Sequence, residues 1–183
     1  MLNVLFRRVY NSLLAFSIML LSNYTGNEPK FSNFFVEAFE NGVYIRGLLL
    51  DAFENDFEEI FNSGILTSVI YDIEVVHGRS NILQKTFVNT AIWNFEIDRW
   101  IVHYGEENET IFVNSYEDLK RYISFIETFV FFDVEGIDIV DISISARLPV
   151  IHIPSIQKSI DLMVLWKMKA PQAKININMK VPR

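Results

Sequence analysis

The sequence predicts a mainly β protein with helices, an α+β fold in which antiparallel, β-sandwich-like sheets carry one amphipathic helix. Three observations predict it. Several long runs alternate between apolar and polar residues, the pattern of strands that bury one face. Phenylalanine occurs 16 times in 183 residues, and aromatic and β-branched residues favour strands. One segment, after position 115, instead places its apolar residues at helical spacing.

The N-terminal 26 residues are predicted to be a signal peptide or a membrane anchor. Arg7 and Arg8 precede the apolar run Leu13–Leu21, and a polar, turn-rich exit follows, which is the outline of a secretory signal. A spanning helix needs roughly 20 apolar residues. Counting from Val9 nearly reaches that length, so an uncleaved anchor stays open, as does a helix buried in the fold. Residues 27–183 are then expected to form a single β-rich domain.

The domain is expected to begin with a β-hairpin and a short helix. Asn41 and Gly42 lie between two apolar runs, and both residue types tolerate the positive φ of a tight turn. Residues 55–64 then predict the helix. Asn55 is its expected N-cap, and Gly64 is expected to end it.

Three strands are predicted in the middle of the chain. Ile65–Val76 alternates cleanly, and a loop is expected at His77–Asn81. Ala91–Tyr104 predicts one long strand region, bent near Asp98. Thr110–Val113 predicts a short strand after an acidic turn.

The strongest helical pattern covers Tyr116–Val130. Ser115 and Asp118 have the spacing of a capping box at its start. The apolar stripe at helical spacing consists of Leu119, Tyr122, Ile123, Ile126 and Val130. We expect this helix to pack on the sheets.

The C-terminal part again favours strands. Val140–Leu148 has almost perfect period two, and Lys174–Val181 alternates as well. Between them, Val150–Ile153 has prolines on both sides and reads as turn-like, and Ile156–Met168 is expected to be helical. Long alternating strands joined by short connections predict antiparallel sheets with one buried face.

Several short motifs also carry a family resemblance. They are LLLDAF at residues 48–53, NSGI at 62–65, YDIEVV at 71–76, YEDLKRYIS at 116–124 and ARLPVIHIP at 146–154. In this order after a leader, they resemble the uncharacterised bacterial family called domain of unknown function 4390. The resemblance covers most of residues 32–168. It implies an exported or membrane-anchored protein and brings no catalytic residues with it.

Charge and composition exclude several classes of function. The formal net charge is −7, and an acidic surface repels phosphate backbones, so we expect no nucleic-acid partner. The chain has no cysteine, which rules out disulfides, cysteine-ligated metals and cysteine nucleophiles. Glycine is scarce, with 7 residues, and no Gly-x-Ser-x-Gly motif occurs, so an ordinary hydrolase has little support.

Metal binding is the main catalytic alternative. His77, His103 and His152 could join carboxylates from distant segments in a metal-dependent hydrolase; the carboxylates considered are Asp72, Glu74 and Asp98. However, no His-x-x-x-His spacing occurs, so we expect hydrogen-bonded or solvated histidines. The acidic runs at 54–59 and 106–109 lack the spacing of a calcium loop and are expected to be solvated.

These observations favour a non-catalytic domain of the bacterial cell envelope that binds a partner protein or an apolar ligand. The motivation is the leader, the strand pattern, the absence of catalytic motifs and the aromatic content, which includes Trp93, Trp100 and Trp166. We assign no catalytic, metal or cofactor-binding residue and expect no cofactor. The expected location is the periplasm or the outer side of the inner membrane, reached through the N-terminal segment. An anchored sensor or assembly factor is the other alternative.

Overall fold

A computed structural model describes residues 26–55, 57–105, 109–153 and 158–180 and confirms the predicted fold class. The chain forms mainly antiparallel β-sheet with helices, an α+β fold with β-sandwich-like sheets. The strands are β1 Lys30–Phe39, β2 Gly42–Leu50, β3 Thr67–His77, β4 Ser80–Asn94, β5 Arg99–Tyr104, β6 Glu109–Val113, β7 Phe125–Phe131, β8 Ile139–Arg147, β9 Val150–Ile153, β10 Lys158–Asp161 and β11 Gln172–Asn178. The helices are α1 Phe57–Asn62, α2 Tyr116–Ser124 and a 3-10 helix, Leu162–Trp166.

The strands form three sheets in which all pairs are antiparallel. The largest has six strands in the order β11-β8-β3-β4-β5-β6. A second sheet has the order β1-β2-β7, and β9 pairs with β10 in a small third sheet. Most neighbours are consecutive in the chain, as expected for hairpin connections.

The three-stranded sheet and α2 lie on the same side of the six-stranded sheet and enclose a hydrophobic core. α2 packs on β3, β4, β5 and β6, while side chains of β4 hydrogen-bond to the backbone of β7. The largest fully buried side chains include Trp166, Tyr71, Phe53, Phe57 and Phe61. The aromatic residues therefore supply much of the packing that joins the layers.

The predicted first hairpin is confirmed, with its turn one residue earlier than expected. Glu40 and Asn41 form the turn, and Gly42 is the first residue of β2. Gly42, rather than Asn41, carries the positive φ, at 149°. A β-carbon on Gly42 would lie 2.0 Å from the carbonyl oxygen of Val130. Glycine is thus needed here for both its conformation and its close contact with β7.

The short helix and the strand that follows it are also confirmed. Gly64, at φ 78°, comes two residues after the last residue of α1. The prediction of Asn55 as the N-cap was wrong: its φ is 59° rather than extended, and its side chain instead donates to Asn27 Oδ1 at 2.8 Å, which links the helix entry to the start of the domain. In β3, the predicted inward side is fully buried; it comprises Val69, Tyr71, Ile73 and Val75.

The prediction of one strand over Ala91–Tyr104 was wrong, because this region is a hairpin. β4 ends at Asn94 and β5 starts at Arg99. The Asn94 side chain accepts a hydrogen bond from the Glu96 amide at 2.9 Å, and Asp98 takes φ 56°. Asparagine and aspartate support both features locally, so the expected bend is a full reversal of the chain.

The loop predicted at His77–Asn81 is a turn of only two residues, Gly78 and Arg79. β3 continues to His77 and β4 begins at Ser80. The segment Ser80–Thr90, which carries no clean alternation, is therefore the first part of the longest strand. Pairing with β3 stabilises this segment as a strand although its own sequence has no clear strand pattern.

The helix predicted over Tyr116–Val130 stops at Ser124, and Phe125–Phe131 forms β7. The start is as predicted, since Ser115 Oγ accepts the Asp118 amide at 3.1 Å. The end differs because FIETFVF also alternates, burying Ile126, Thr128 and Val130 against the core. The apolar residues of this segment fit the spacing of a helix and also that of a strand, and in the structure the segment forms a strand.

Tertiary hydrogen bonds favour the change from helix to strand at this point. Ile123 O accepts from Tyr71 Oη and from Asn89 Nδ2, both at 3.1 Å. Phe125 O accepts a second bond from Asn89 Nδ2 at 2.8 Å. In a continued helix, these carbonyls would accept from amides four residues later. Two buried side chains of the six-stranded sheet replace those donors.

The C-terminal prediction is right for two strands and wrong between them. β8 and β11 lie where alternation predicted them. Val150–Ile153, expected as a turn, is β9, and the helix expected at Ile156–Met168 is reduced to the 3-10 helix after β10. Asp161 Oδ1 accepts a hydrogen bond from the Met163 amide at 2.9 Å and caps the 3-10 helix. The helix therefore begins only after Asp161, which is the last residue of β10.

The predicted leader is not tested, since residues 1–25 lie outside the described residues. Within the described ranges, no helix combines the length and apolar character that crossing a membrane requires. The division into a leader and one domain stays a prediction.

Candidate binding groove

The histidines considered for a metal site are placed separately and have local partners. His77 Nδ1 lies 2.8 Å from Ile139 O at one sheet end, and His103 Nδ1 lies 2.8 Å from Thr110 Oγ1 in the β5–β6 hairpin. The side chain of His152 is outside the described part. Within that part, no group of three or more metal-ligating side chains comes together.

The carboxylates considered with them also have other partners. Asp72 accepts from Arg147 Nε at 3.0 Å and from Thr86 Oγ1 at 2.6 Å on the outer face of the six-stranded sheet. Glu74 and Asp98 are exposed, on β3 and in the β4–β5 turn. The structure thus gives these acids places on the surface rather than a shared site.

The most distinctive concave feature is an open cavity of about 610 Å³ between the two large sheets. We call it the Tyr–Glu groove. One side comes from β2 and β7, and the other from the end of β5 and the start of β6. Its lining residues are Tyr44, Tyr104, Gly105, Glu109, Glu127, Thr128, Phe129 and Phe131.

Each side of the groove holds one carboxylate on a tyrosine hydroxyl. Tyr104 Oη donates to Glu109 Oε2 at 2.7 Å, and Tyr44 Oη donates to Glu127 Oε1. Both pairs connect neighbouring strands, because Tyr104 faces Glu109 directly and Tyr44 faces Phe129, two residues from Glu127. Each carboxylate keeps a second oxygen and further lone pairs for a ligand.

These contacts change the acidity of the tyrosines. The hydrogen bond to Glu109, followed by partial burial, raises the pKa of Tyr104 to about 12. The hydrogen bond to Glu127 likewise raises the pKa of Tyr44. Both phenols therefore stay protonated near neutral pH and act as hydrogen-bond donors, not as bases or nucleophiles.

Aromatic rings form the rest of the wall on the β7 side. The Phe129 ring lies 4.3 Å from Phe131 and 5.3 Å from Phe39, measured between centroids. Phe131 is 60% exposed although it is a large apolar side chain. Across the groove, Tyr104 packs on Tyr122 of α2 at 5.3 Å. The groove thus combines exposed ring faces with carboxylate oxygens.

A buried asparagine fixes the two sides of the groove relative to each other. Asn89 is 0% exposed, and its Oδ1 accepts the Gly105 amide at 2.9 Å. Its Nδ2 donates to Ile123 O and Phe125 O, at the start of β7. One side chain of β4 therefore ties the end of β5 to the α2–β7 junction. All its hydrogen-bonding capacity except one acceptor position is used.

The side chains that line the groove carry negative charge, and two cations lie close to it. Its lining includes two carboxylates and, among the described residues, no lysine or arginine. The nearby Arg46 guanidinium stacks 5.4 Å from the centre of the Phe125 ring, and Lys85 Nζ donates to Phe129 O at 2.8 Å. Two more glutamates follow Gly105 in the sequence, at positions outside the described residues.

A smaller cavity of about 220 Å³ lies beside residues 48–54 and α2. Its principal cation, Lys120, already contacts Glu117 at 2.9 Å and Glu54 at 3.1 Å. Because these charges neutralise each other, this cavity offers a ligand less than the Tyr–Glu groove does.

Sequence reasoning did not identify the groove residues. Glu127 and Phe129 fall within the predicted helix, which would place them on different faces, whereas the strand places them on one side together with Phe131. The alternation within FIETFVF was the available signal. The hydrogen bond between Tyr44 and Glu127 depends on the register of β2 with β7, and no short sequence pattern near either residue predicts that register.

Comparisons with known protein families, with characterised proteins and with solved structures found no match. The chemistry of the groove is therefore the basis for a functional proposal.

Proposed function

We propose that this chain is a non-catalytic binding domain of the bacterial cell envelope, and that its Tyr–Glu groove binds a basic side chain of a partner protein. The observation that carries the proposal is the pairing of two tyrosine-held carboxylates with exposed aromatic rings in one groove. Lysine and arginine bind such surroundings through charge-assisted hydrogen bonds and cation–π contacts.

A partner protein fits the groove better than a small apolar ligand does. The groove is open to solvent, and its acids would be costly to desolvate against an apolar molecule. The hydrophobic core, by contrast, is filled by side chains such as Trp166 and Phe53. A basic side chain presented on a polypeptide satisfies the carboxylates and covers the exposed Phe131 with the chain beside it.

The groove fits a binding role better than it fits the metal-dependent hydrolase. Its lining supplies no histidine among the described residues, and each of its two carboxylates is held by a tyrosine hydroxyl that keeps its proton. Such fixed acceptors suit the binding of a cation.

We also propose an extracytoplasmic location, either periplasmic or anchored to the inner membrane. Arg7 and Arg8 before the apolar run Leu13–Leu21, together with the motif resemblance, support this location. Intact-mass analysis of the native protein after membrane fractionation tests it. A start near Asn23 in the soluble envelope fraction supports a cleaved signal, and an intact N-terminus in the membrane fraction supports an anchor. An intact chain in the cytosol would contradict the location.

The groove is tested by calorimetric titration with two seven-residue peptides. One alternates Lys and Val, and its matched control alternates Glu and Val. We expect binding of the Lys peptide alone. The variant with Glu109→Gln and Glu127→Gln should bind it at least about tenfold more weakly, since each charged hydrogen bond is worth roughly 1.5–3 kcal/mol.

The control variant carries Glu74→Gln and Glu135→Gln, which remove two exposed charges elsewhere. It should bind nearly as well as the unmodified protein. Equal losses in both variants would mean that net charge alone attracts the peptide, and the groove would not be its site.

A further inference from the structure

The edges of the sheets differ in how they are covered. β1 lies next to β11, so the edge of the three-stranded sheet and one edge of the six-stranded sheet cover each other. On the free edge of β7, Phe125 O and Phe129 O accept from Asn89 and Lys85. β6 has one strand neighbour, β5, and no other strand of the described residues pairs with its open side.

β6 is only five residues long, which limits pairing, but it lacks other features that protect an edge strand. Its sequence, Glu109–Val113, reads ETIFV and contains no proline and no basic residue. Phe112 is 56% exposed on its outer side. Edge strands are normally protected by lysines, prolines, bulges or a covering element, because their unpaired backbone groups attract other strands. In an antiparallel strand, every second residue points its N–H and C=O away from its neighbour.

We propose that β6 is a strand-addition site: an extended segment of the partner pairs with its open edge and extends the six-stranded sheet to seven strands. This proposal rests on the proposed function, because Glu109 is both the first residue of β6 and part of the Tyr–Glu groove. A segment paired along β6 therefore reaches the groove at one end. Main-chain hydrogen bonds supply affinity, and the side chains supply selectivity.

The two faces of β6 define the chemistry of that segment. Glu109 shares the inner face with Ile111 and Val113, so a partner residue opposite Glu109 should be basic. Phe112 lies on the outer face beside Ile101, so the partner residue next to it should be apolar. Opposite charges and apolar pairs across strands are both stabilising. We thus expect an extended segment with a basic residue near one end and an apolar residue on the other face.

Backbone methylation separates strand addition from simple charge attraction. Two further forms of the alternating Lys–Val peptide are compared with the parent, with N-methyl groups on residues 3, 5 and 7 or on residues 2, 4 and 6. Both keep the same charges and the same number of methyl groups. Only one set of amides faces β6 in a strand pair. We expect one isomer to lose at least about tenfold in affinity and the other to bind like the parent.

Substitution of the protein tests the position of the strand. Phe112→Lys places a charge on the open edge, and Val88→Lys is its control, since Val88 is also exposed on the outer face but in the interior strand β4. We expect at least about tenfold weaker peptide binding for Phe112→Lys and little change for Val88→Lys.

The outcomes distinguish the two proposals. If both methylated isomers bind like the parent while the Glu109 and Glu127 variant loses binding, the groove stands and strand addition is wrong. If Phe112→Lys and Val88→Lys weaken binding equally, β6 is not the site. If the parent peptide does not bind, both proposals fail.

Discussion

The two edges of the six-stranded sheet show how one fold closes one side and leaves the other open. β11 carries Lys174, which contacts Asp141 at 3.0 Å, and β1 of the other sheet lies beside it. β6 carries Phe112 where a protected edge would carry a charge. Among the described residues, the edge at β11 is therefore covered by another sheet, whereas β6 has no strand on its outer side.

The largest expected effect is a difference in stability between substitutions in β8, which is packed between strands, and in the edge strand β6. Ile144 of β8 is 1% exposed and faces Ala173 of β11. Ile144→Ala should lower the free energy of unfolding by about 3 kcal/mol through lost burial and a residual cavity. Phe112→Ala on β6 should lower it by less than about 1 kcal/mol. Urea unfolding of both variants measures this difference, and similar losses would mean that β6 is as packed as β8.

A second comparison uses two asparagines, Asn89 on the interior strand β4 and Asn176 on the edge strand β11. Asn89→Ala removes a buried side chain with three hydrogen bonds and should cost about 2–3 kcal/mol in unfolding free energy. Asn176→Ala on β11 removes one exposed bond to Asp141 and should cost less than about 0.5 kcal/mol. Urea unfolding is again the measurement. A small effect at Asn89 would show that the link between β5 and β7 does not hold the groove together.

Several elements of the fold could be predicted from the sequence. The fold class, the first hairpin, β3, β8 and the capped start of α2 all follow from local period and local capping. In each, one period dominates: β8, for example, buries every second residue from Val140 to Ala146. Such patterns are readable because the buried face is set by neighbouring residues alone.

The failures have a common physical cause. Phe125–Phe131 fits both a helix and a strand, and the choice depends on Tyr71 and Asn89, which lie more than 30 positions away in sequence. The Tyr–Glu groove depends on the register of β2 with β7 and of β5 with β6. Neither register is encoded within a short window, so the site could not be read from the sequence.

A smaller effect concerns the tendency of the free protein to associate. Because an open apolar edge attracts other strands, Phe112→Lys should weaken concentration-dependent association severalfold, with stability changed by less than about 0.5 kcal/mol. Lys174→Val on β11 should leave association unchanged, since β1 lies beside that edge. Analytical ultracentrifugation over a concentration series measures both. Increased association of Lys174→Val alone would reverse the assignment of the open edge.

The smallest expected effect is the titration of Tyr104 in the groove. Its pKa of about 12 lies above the ordinary value of 10, so the neutral phenol is favoured in the folded state. Its contribution to stability is complete below pH 10 and is lost as the pH rises through about 12. The difference in phenolate absorbance between the unmodified protein and Tyr104→Phe should have its midpoint near pH 12. A midpoint near 10 would mean that Glu109 does not hold the hydroxyl.

Hydrogen exchange of individual β6 amides, measured by NMR with and without the alternating Lys–Val peptide, tests the central claim most directly. In the free protein, every second amide of Glu109–Val113 should exchange quickly, because no strand of the described part of the chain faces it. With peptide bound, these amides should become protected while those of β11 stay unchanged. Unchanged exchange along β6, or new protection along β11 instead, would contradict the assignment of β6 as the open, partner-binding edge.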